Sequence, residues 1–494
     1  MHLHRFPLLL CVAALVAGAS ATAGQIGASA AGPEALLGIW VPDTAPRALL
    51  TSTGKTPPLT AQASKLYTER RQRFAKGDTS FDPTSWCAGP GMPRILTMRY
   101  PVEIRADANR IAFIHGWYRW FRVVDLGAGT PDPPLPLTMG FPVGHWEGST
   151  LVIRTAGLTD TTVMDASGLP HSERLTLTER LRVLPDRRLE DRITIDDPEN
   201  YTQAWETVLT FHRDTAARVT DDVCPDRMAR GEPAEQVPVG RTTAPRTTSV
   251  SSRTAAPVAV KGVAPPSRLA GVWEPKTFGI MVPNAPLSSA GQEIVSRNAA
   301  AMQAGQIMQT AWVSCRPGAV STMTMPREKI VILESPDEVT ILFEMPRMVR
   351  RIRMSASHPQ GLEPGYVGDS VGHWEGNTLV VDTLGFNGYA ELDARGQPTS
   401  ARLHTVERLT PSGDGSIDIE TRIEDSDYYT RPFSIQRSWK KSPARHPFEY
   451  DCMENPRQED FENAYYVRER YRPLCMRVEG EGMAPSKMVC RRPQ

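Results

Sequence analysis

Residues 371–383 read Val-Gly-His-Trp-Glu-Gly-Asn-Thr-Leu-Val-Val-Asp-Thr, and residues 143–155 read Val-Gly-His-Trp-Glu-Gly-Ser-Thr-Leu-Val-Ile-Arg-Thr. Both stretches place a glycine and a small polar residue between two runs of strand-forming residues, which is typical of the tight turn in a β-hairpin. Each stretch therefore predicts two antiparallel strands, and the recurrence predicts that the same hairpin occurs twice in the chain.

The two hairpins lie 228 residues apart (371 − 143), and this offset persists on both sides of them. It relates several residues of uncommon type: Cys87 to Cys315, Glu179 to Glu407, Tyr201 to Tyr429 and Cys224 to Cys452. Any insertion would break the offset for everything downstream. Its constancy from Cys87 to Cys224 therefore indicates two copies of one fold. We place the copies at residues 33–230 and 268–457.

The segment between the copies, residues 231–267, consists mainly of Pro, Thr, Ala, Val and Ser. Such a composition cannot bury enough apolar surface to fold, so we expect a disordered linker. After the second copy, residues 458–494 form a basic tail with no counterpart in the first half.

Within each copy the pattern begins with Gly-x-Trp, continues with one helix and ends with short strands. The helices are predicted at about Thr60 to Lys76, and from a capping box at Ser289-x-x-Gln292 to a stop at Gly305. In the second copy eight strands follow, predicted at 329–333, 338–343, 348–354, 371–374, 378–383, 402–409, 416–423 and 433–439. The fold class is therefore mainly β, with two tandem antiparallel, lipocalin-like β-barrels, each with one amino-terminal helix.

The amino terminus has the features of a signal peptide. His2, His4 and Arg5 precede an apolar run of about a dozen residues, too short to span a bilayer, and cleavage near Ala21 or Ala23 would remove it. We expect a periplasmic or secreted protein with no membrane span. The 56 basic and 56 acidic side chains balance, which argues against nucleic-acid binding. The oligomeric state is left open.

Six cysteines remain after removal of the signal peptide, an even number for an oxidising compartment. The economical pairing is Cys87 with Cys224, Cys315 with Cys452, and Cys475 with Cys490. No Cys-x-x-Cys occurs, so neither a metal nor another cofactor is predicted.

The order Gly-x-Trp, helix, cysteine, strands and then the motif of residues 372–387 resembles a family of uncharacterised exported bacterial proteins, usually one domain long. The resemblance covers most of both copies, is strongest over 368–455, and implies no established activity. The Gly-x-Trp opening is also similar to the lipocalin and calycin superfamily. That similarity implies a small apolar ligand, and in some members hydratase or isomerase activity.

Two groups of residues are candidate sites. The first is the repeated His-Trp-Glu, which could line a pocket mouth with an indole and a base: His145, Trp146, Glu147, His373, Trp374 and Glu375. The alternative is that each tryptophan plugs its barrel while Gly148 and Gly376 serve the turn.

The second group is a set of possible acid/base residues: Glu179 with His171 and Asp165, and Glu407 with His404 and Asp393. Glu179 and Glu407 each lie on an otherwise apolar strand face, where burial would raise the pKa of a carboxyl group. The alternative is a structural pair with an arginine such as Arg192 or Arg422. Asp165 and Asp393 either orient a histidine or cap a turn.

The leading functional hypothesis is an exported protein that binds a small apolar or aromatic molecule inside its barrels. The alternative is a cofactor-independent acid/base enzyme of lyase, hydratase or hydrolase type, and a structural role in the envelope is third. Convergence of Glu407, His404 and Asp393 in one pocket would favour the enzyme, whereas solidly packed interiors would argue against both binding and catalysis.

Overall fold

The structure is a computed structural model that describes residues 33–127, 135–234, 268–279, 281–318, 329–345, 347–443, 449–454, 464–467, 475–478 and 487–490. The predicted signal peptide, residues 235–267 of the predicted linker and most of the predicted tail lie outside the described residues.

Strands of the first half show the two-residue alternation expected of a sheet with one buried face. In the strand Leu189–Asp196, every second side chain is buried. Nine strands close into a barrel in chain order: β1 Gly38–Pro42, β2 Val102–Ala106, β3 Arg110–His115, β4 Phe121–Leu126, β5 Phe141–Glu147, β6 Thr150–Ala156, β7 Thr176–Val183, β8 Leu189–Asp196 and β9 Trp205–Arg213. Two helices belong to this half, α1 Ala61–Ala75 and α2 Cys224–Ala229.

The second half repeats this arrangement and adds short strands. Its elements in chain order are β10 Gly271–Pro275, α3 Ser289–Gln303, β11 Ile307–Gln309, β12 Ile330–Glu334, β13 Glu338–Phe343, β14 Met348–Met354, β15 Asp369–Glu375, β16 Thr378–Leu384, β17 His404–Pro411, β18 Ser416–Glu424, β19 Phe433–Lys441, β20 Ala464–Tyr466, β21 Cys475–Val478 and β22 Lys487–Cys490. Strand β10 and strands β12 to β19 form a second closed barrel, and β11 pairs with β20. The predicted fold of two tandem barrels is confirmed.

Each barrel has nine strands because the Gly-x-Trp strand pairs with both the second and the last strand and closes the cylinder. One neighbouring pair in each barrel is parallel, β4 with β5 and β14 with β15, and all other neighbours are antiparallel. The helix predictions hold within a residue. Thr60 caps α1, and the cap of α3 is Ser288 and not the predicted Ser289, because Ser288 accepts the amide of Gly291.

Each domain contains one disulfide, Cys87–Cys224 in the first and Cys315–Cys452 in the second, and both were predicted. Strands β21 and β22 place Cys475 directly opposite Cys490, but the side chains of these strands are not described, so the third bridge stays a prediction.

The two barrels pack against each other through a shared apolar cluster. Ile114 and Val123 of the first barrel lie in one cluster with Val331, Leu342 and Val349 of the second. Ion pairs flank this cluster: Arg351 lies 2.7 Å from Glu103, and Arg105 lies 3.1 Å from Glu338. The segments that carry the second cysteine of each disulfide also cross over, since Val223 packs in the core of the second barrel and Asp451 accepts the amide of Gly89 in the first.

Candidate functional site

The repeated His-Trp-Glu lies at the exposed tip of the hairpin in both barrels. His145 contacts Glu147 at 3.2 Å, and Glu147 also pairs with Arg180; all three side chains are about half exposed. The second barrel repeats this arrangement with His373, Glu375 and Arg408. Trp146 and Trp374 are partly buried and pack against the barrel cores. The His and Glu side chains therefore lie at the surface, whereas the two tryptophans pack against the cores. Ligand contact by these residues stays a prediction.

The two glutamates on apolar faces lie inside the barrels and pair with arginine. Glu179 is fully buried and receives two hydrogen bonds from Arg122, at 2.6 and 2.8 Å. Glu407 is equally buried and pairs with Arg350. The alternative of a structural pair with an arginine is therefore found, but Arg192 and Arg422 are not the partners. Arg192 bonds Glu206 and Arg422 bonds Glu424 instead, because both point outward.

The remaining predicted acid/base residues do not join these glutamates. His404 faces outward and pairs with Asp382 at 2.9 Å and with Glu424. Asp393 accepts the amides of Val282 and Gln397 and so holds a loop. Glu407, His404 and Asp393 thus occupy three separate places, because residues three apart on a strand point to opposite faces.

In the first half the same separation holds. His171 is buried and bonds Thr162 at 2.8 Å, and burial lowers the pKa of its imidazole. Asp165 accepts the amides of Leu49, Ser167 and Leu169. Asp165 therefore stabilises a loop through its backbone amides. Among the described residues, neither His171 nor Asp165 forms a hydrogen bond or ion pair with Glu179.

The arginine–glutamate pair of the second barrel belongs to a larger hydrogen-bond network. Arg350 Nε donates to Ser370 at 3.1 Å, and Arg350 Nη2 donates to Thr383 at 2.9 Å as well as to Glu407. The hydroxyls of Ser370 and Thr383 also bond each other at 2.9 Å. The guanidinium therefore reaches both the glutamate and the hydroxyl pair.

At the position of Ser370 the first barrel has Pro142, which has neither a hydroxyl nor an amide hydrogen. As a result, Arg122 Nε and Thr155 Oγ1 are buried without a hydrogen-bond partner among the described residues. Unpartnered atoms occur in the second barrel too, at Thr405, Glu407 and Trp439 among others, but none of them belongs to Arg350. A buried donor without a partner is costly, which makes Arg122 a candidate for binding a water or ligand.

The same proline shortens the seam between the parallel strands. In the second barrel three residue pairs join β14 and β15, the first being Ile352 with Ser370. In the first barrel only two pairs join β4 and β5, and the pair of Val124 with Pro142 is missing. Since proline cannot donate to a ladder, the seam begins one residue later.

A cleft opens onto this shortened seam. It has a volume of about 40 Å³ and is lined on the first barrel by Phe121, Arg122, Phe141 and Pro142, among others. A cavity of that size holds a few water molecules or a small polar group. Arg122 is one of the residues that line the cleft, and its side chain is only 1 % exposed.

The second domain supplies the other wall of the cleft through Glu344, Arg347 and Glu449. Glu449 accepts the amides of Thr138 at 3.0 Å and Met139 at 2.7 Å, and burial raises the pKa of its carboxyl group. Arg347 stacks on the ring of Trp120 at 3.2 Å. The second domain therefore covers the seam of the first barrel and contributes side chains of both charge signs, two glutamates and one arginine.

Two further ionisable side chains lie inside the first barrel. Asp191 is fully buried, its Oδ1 has no described partner, and burial together with the charge of Glu179 raises its pKa well above the usual value. Burial and the charge of Arg122 lower the pKa of His115 to about 3, so this imidazole is neutral. The corresponding residues of the second barrel are Ile419 and Phe343.

The sequence reasoning missed Arg122, Asp191 and His115. A signal existed for two of them. Arg122 and Arg350 are related by the offset of 228, and Asp191 alternates with Leu189 and Ile193 on an apolar face, as Glu179 does on its strand.

No protein-family model matches the chain, and no curated protein matches it. Among the residues that the structure describes, no group of three or more His, Cys, Asp and Glu side chains is placed to hold a metal ion, and no helix is long and apolar enough to cross a membrane.

Proposed function

We propose that this is an exported protein that binds a small polar molecule at the seam of its first barrel, with Arg122 as the recognising group. The observation that carries this proposal is the buried pair Arg122 Nε and Thr155 Oγ1, which has no described partner, while the second barrel satisfies the equivalent atoms with Ser370. Export is supported by the two disulfides, which form in oxidising compartments.

The chemistry of the site favours a ligand with an acceptor oxygen. The unpartnered Nε–H of Arg122 and hydroxyl of Thr155 pair best with a carbonyl, hydroxyl or carboxyl oxygen. The apolar or aromatic ligand expected from the sequence suits the interior less well, because an arginine–glutamate pair crosses it. The second barrel, whose arginine is satisfied internally, acts in this proposal as the rigid cover of the site.

The proposal can be tested by ligand-observed NMR on the full mature chain, using mixtures of small alcohols, ketones, amides and carboxylic acids. We expect oxygen-bearing members to bind the wild type. Binding should be lost in Pro142→Ser, which supplies the hydroxyl and the amide hydrogen found in the second barrel. The matched control Ser370→Ala should bind normally. Absence of binding to the wild type, or binding that Pro142→Ser leaves intact, would overturn the proposal.

A further inference from the structure

Asp191 and Glu179 are neighbours on the inner face of the first barrel. The register of β7 and β8 pairs Glu179 with Ile193 and Leu181 with Asp191, so the two carboxyl groups sit diagonally across adjacent strands. Side chains in this relation are within reach of each other. Both residues are buried, with an exposed fraction of 0 % for Glu179 and 2 % for Asp191.

One positive charge serves both carboxyl groups. The Nη atoms of Arg122 both donate to Glu179, and Arg122 is the cation that acts on Asp191. His115 lies near Arg122 and is neutral. Glu190, the next carboxylate along β8, points outward to Arg182 and adds only further negative charge. Two buried carboxylates beside a single guanidinium would leave one negative charge uncompensated, which is strongly unfavourable in a barrel interior.

We propose that Asp191 and Glu179 hold one proton between them at neutral pH. The proton lies on the carboxyl group of Asp191, since Glu179 is the one fixed by Arg122. The carboxyl pair then carries one negative charge, which the guanidinium of Arg122 balances.

The direction of the pKa shift agrees with this geometry, because burial and then the charge of Glu179 raise the pKa of Asp191. The second barrel provides the contrast, since Ile419 stands in place of Asp191 and a single carboxylate faces a single arginine. The shared proton stands independently of the ligand site proposed above.

Infrared spectroscopy of the unliganded full chain at pH 7 tests the shared proton directly. The variant Asp191→Ile carries the residue found at this place in the second barrel. We expect the difference spectrum between the wild type and this variant to contain the carbonyl band of a buried carboxylic acid, and this band should shift in D2O. Asp191→Asn, which keeps the shape of the side chain, should lose the same band.

The decisive variant is Glu179→Gln. Removal of the Glu179 charge should let Asp191 ionise against Arg122, so the band should disappear although Asp191 is still present. The matched variant Glu407→Gln in the second barrel should leave the band unchanged. A wild type without the band, or a band that persists in Glu179→Gln, would overturn the proposal. A band without any fragment binding would instead remove the proposed ligand site and keep the shared proton.

Discussion

Each barrel contains one buried arginine–glutamate pair, and the two barrels differ in the hydrogen bonds that the arginine makes to its surroundings. In the second barrel Ser370 and Thr383 complete the hydrogen bonds of Arg350. In the first, Pro142 removes one partner and Asp191 adds an acid. A buried arginine whose donors are all paired favours rigidity, whereas one with an unpaired donor is often retained for function. The comparison teaches that two copies of one scaffold can keep the same buried pair and yet differ in whether its arginine is fully hydrogen-bonded.

The largest expected effect is the loss of a disulfide, which should lower the unfolding free energy by the same amount in both domains. Both bridges span 137 residues, so the loop-entropy contribution to stability is the same. We expect the double variants Cys87→Ser/Cys224→Ser and Cys315→Ser/Cys452→Ser each to lose about 5 kcal/mol of unfolding free energy. Urea unfolding measures this loss, and a clearly larger loss in one domain would show that its bridge also holds the domain interface.

The next largest effect should differ between the barrels, and it concerns the stability lost when the buried glutamate is neutralised. Glu407→Gln leaves Arg350 without a carboxylate, which we expect to cost about 3–5 kcal/mol. Glu179→Gln should cost less, because Asp191 can ionise and take its place beside Arg122. Hydrogen exchange of the amides in β17 and β7 reports on each barrel separately. Equal losses in the two barrels would contradict the idea that Asp191 is a reserve carboxylate.

A third prediction concerns pH and the crossing segments. Burial raises the pKa of Asp451 to about 6, above the value of about 3.9 expected in the unfolded chain. The folded protein therefore binds more protons, and stability should fall by on the order of 2 kcal/mol as the pH rises from about 4 through 6. The equivalent residue of the first half is Val223, which does not titrate. Asp451→Asn should flatten this part of a stability–pH curve, and an unchanged slope would assign it to another group.

The smallest effects come from exchanging the seam residues. Pro142→Ser should stabilise the first barrel by about 1 kcal/mol, because it gives Arg122 and Thr155 a partner and lengthens the ladder. Ser370→Ala should destabilise the second barrel by about 1 kcal/mol, since Arg350 Nε loses its acceptor. Thermal unfolding of both variants is the measurement, and shifts of the same sign would break the comparison.

Much of the fold could be predicted from the sequence because its signals are local or periodic. The alternation of apolar residues marks strands such as β8, and Thr60 marks the start of α1. The constant offset identified two cysteine pairs, and the structure shows both. The parallel seam was not predictable in this way, because the sequence pattern of a short strand does not reveal the direction of its neighbour.

The candidate site was predicted only in part. The sequence indicated Glu179 and Glu407 as buried carboxylates, since each interrupts an apolar face. It assigned them the wrong arginines, because Arg122 and Arg350 reach the glutamates across the barrel from 57 residues away. The grouping of His404 and Asp393 with Glu407 failed for a related reason, since proximity in sequence did not place them on the same face.

The sequence by itself determined the two barrels, the two disulfides shown here and the burial of one glutamate in each barrel, since these follow from periodicity, offset and composition. Only the tertiary structure decided which groups meet inside. Barrel closure brings β4 opposite β7, and the neighbouring domain places Glu449 at the seam. The chemical difference between the barrels therefore depends on single residues, Pro142 and Asp191 above all, whose consequence is set by side chains that are distant in sequence.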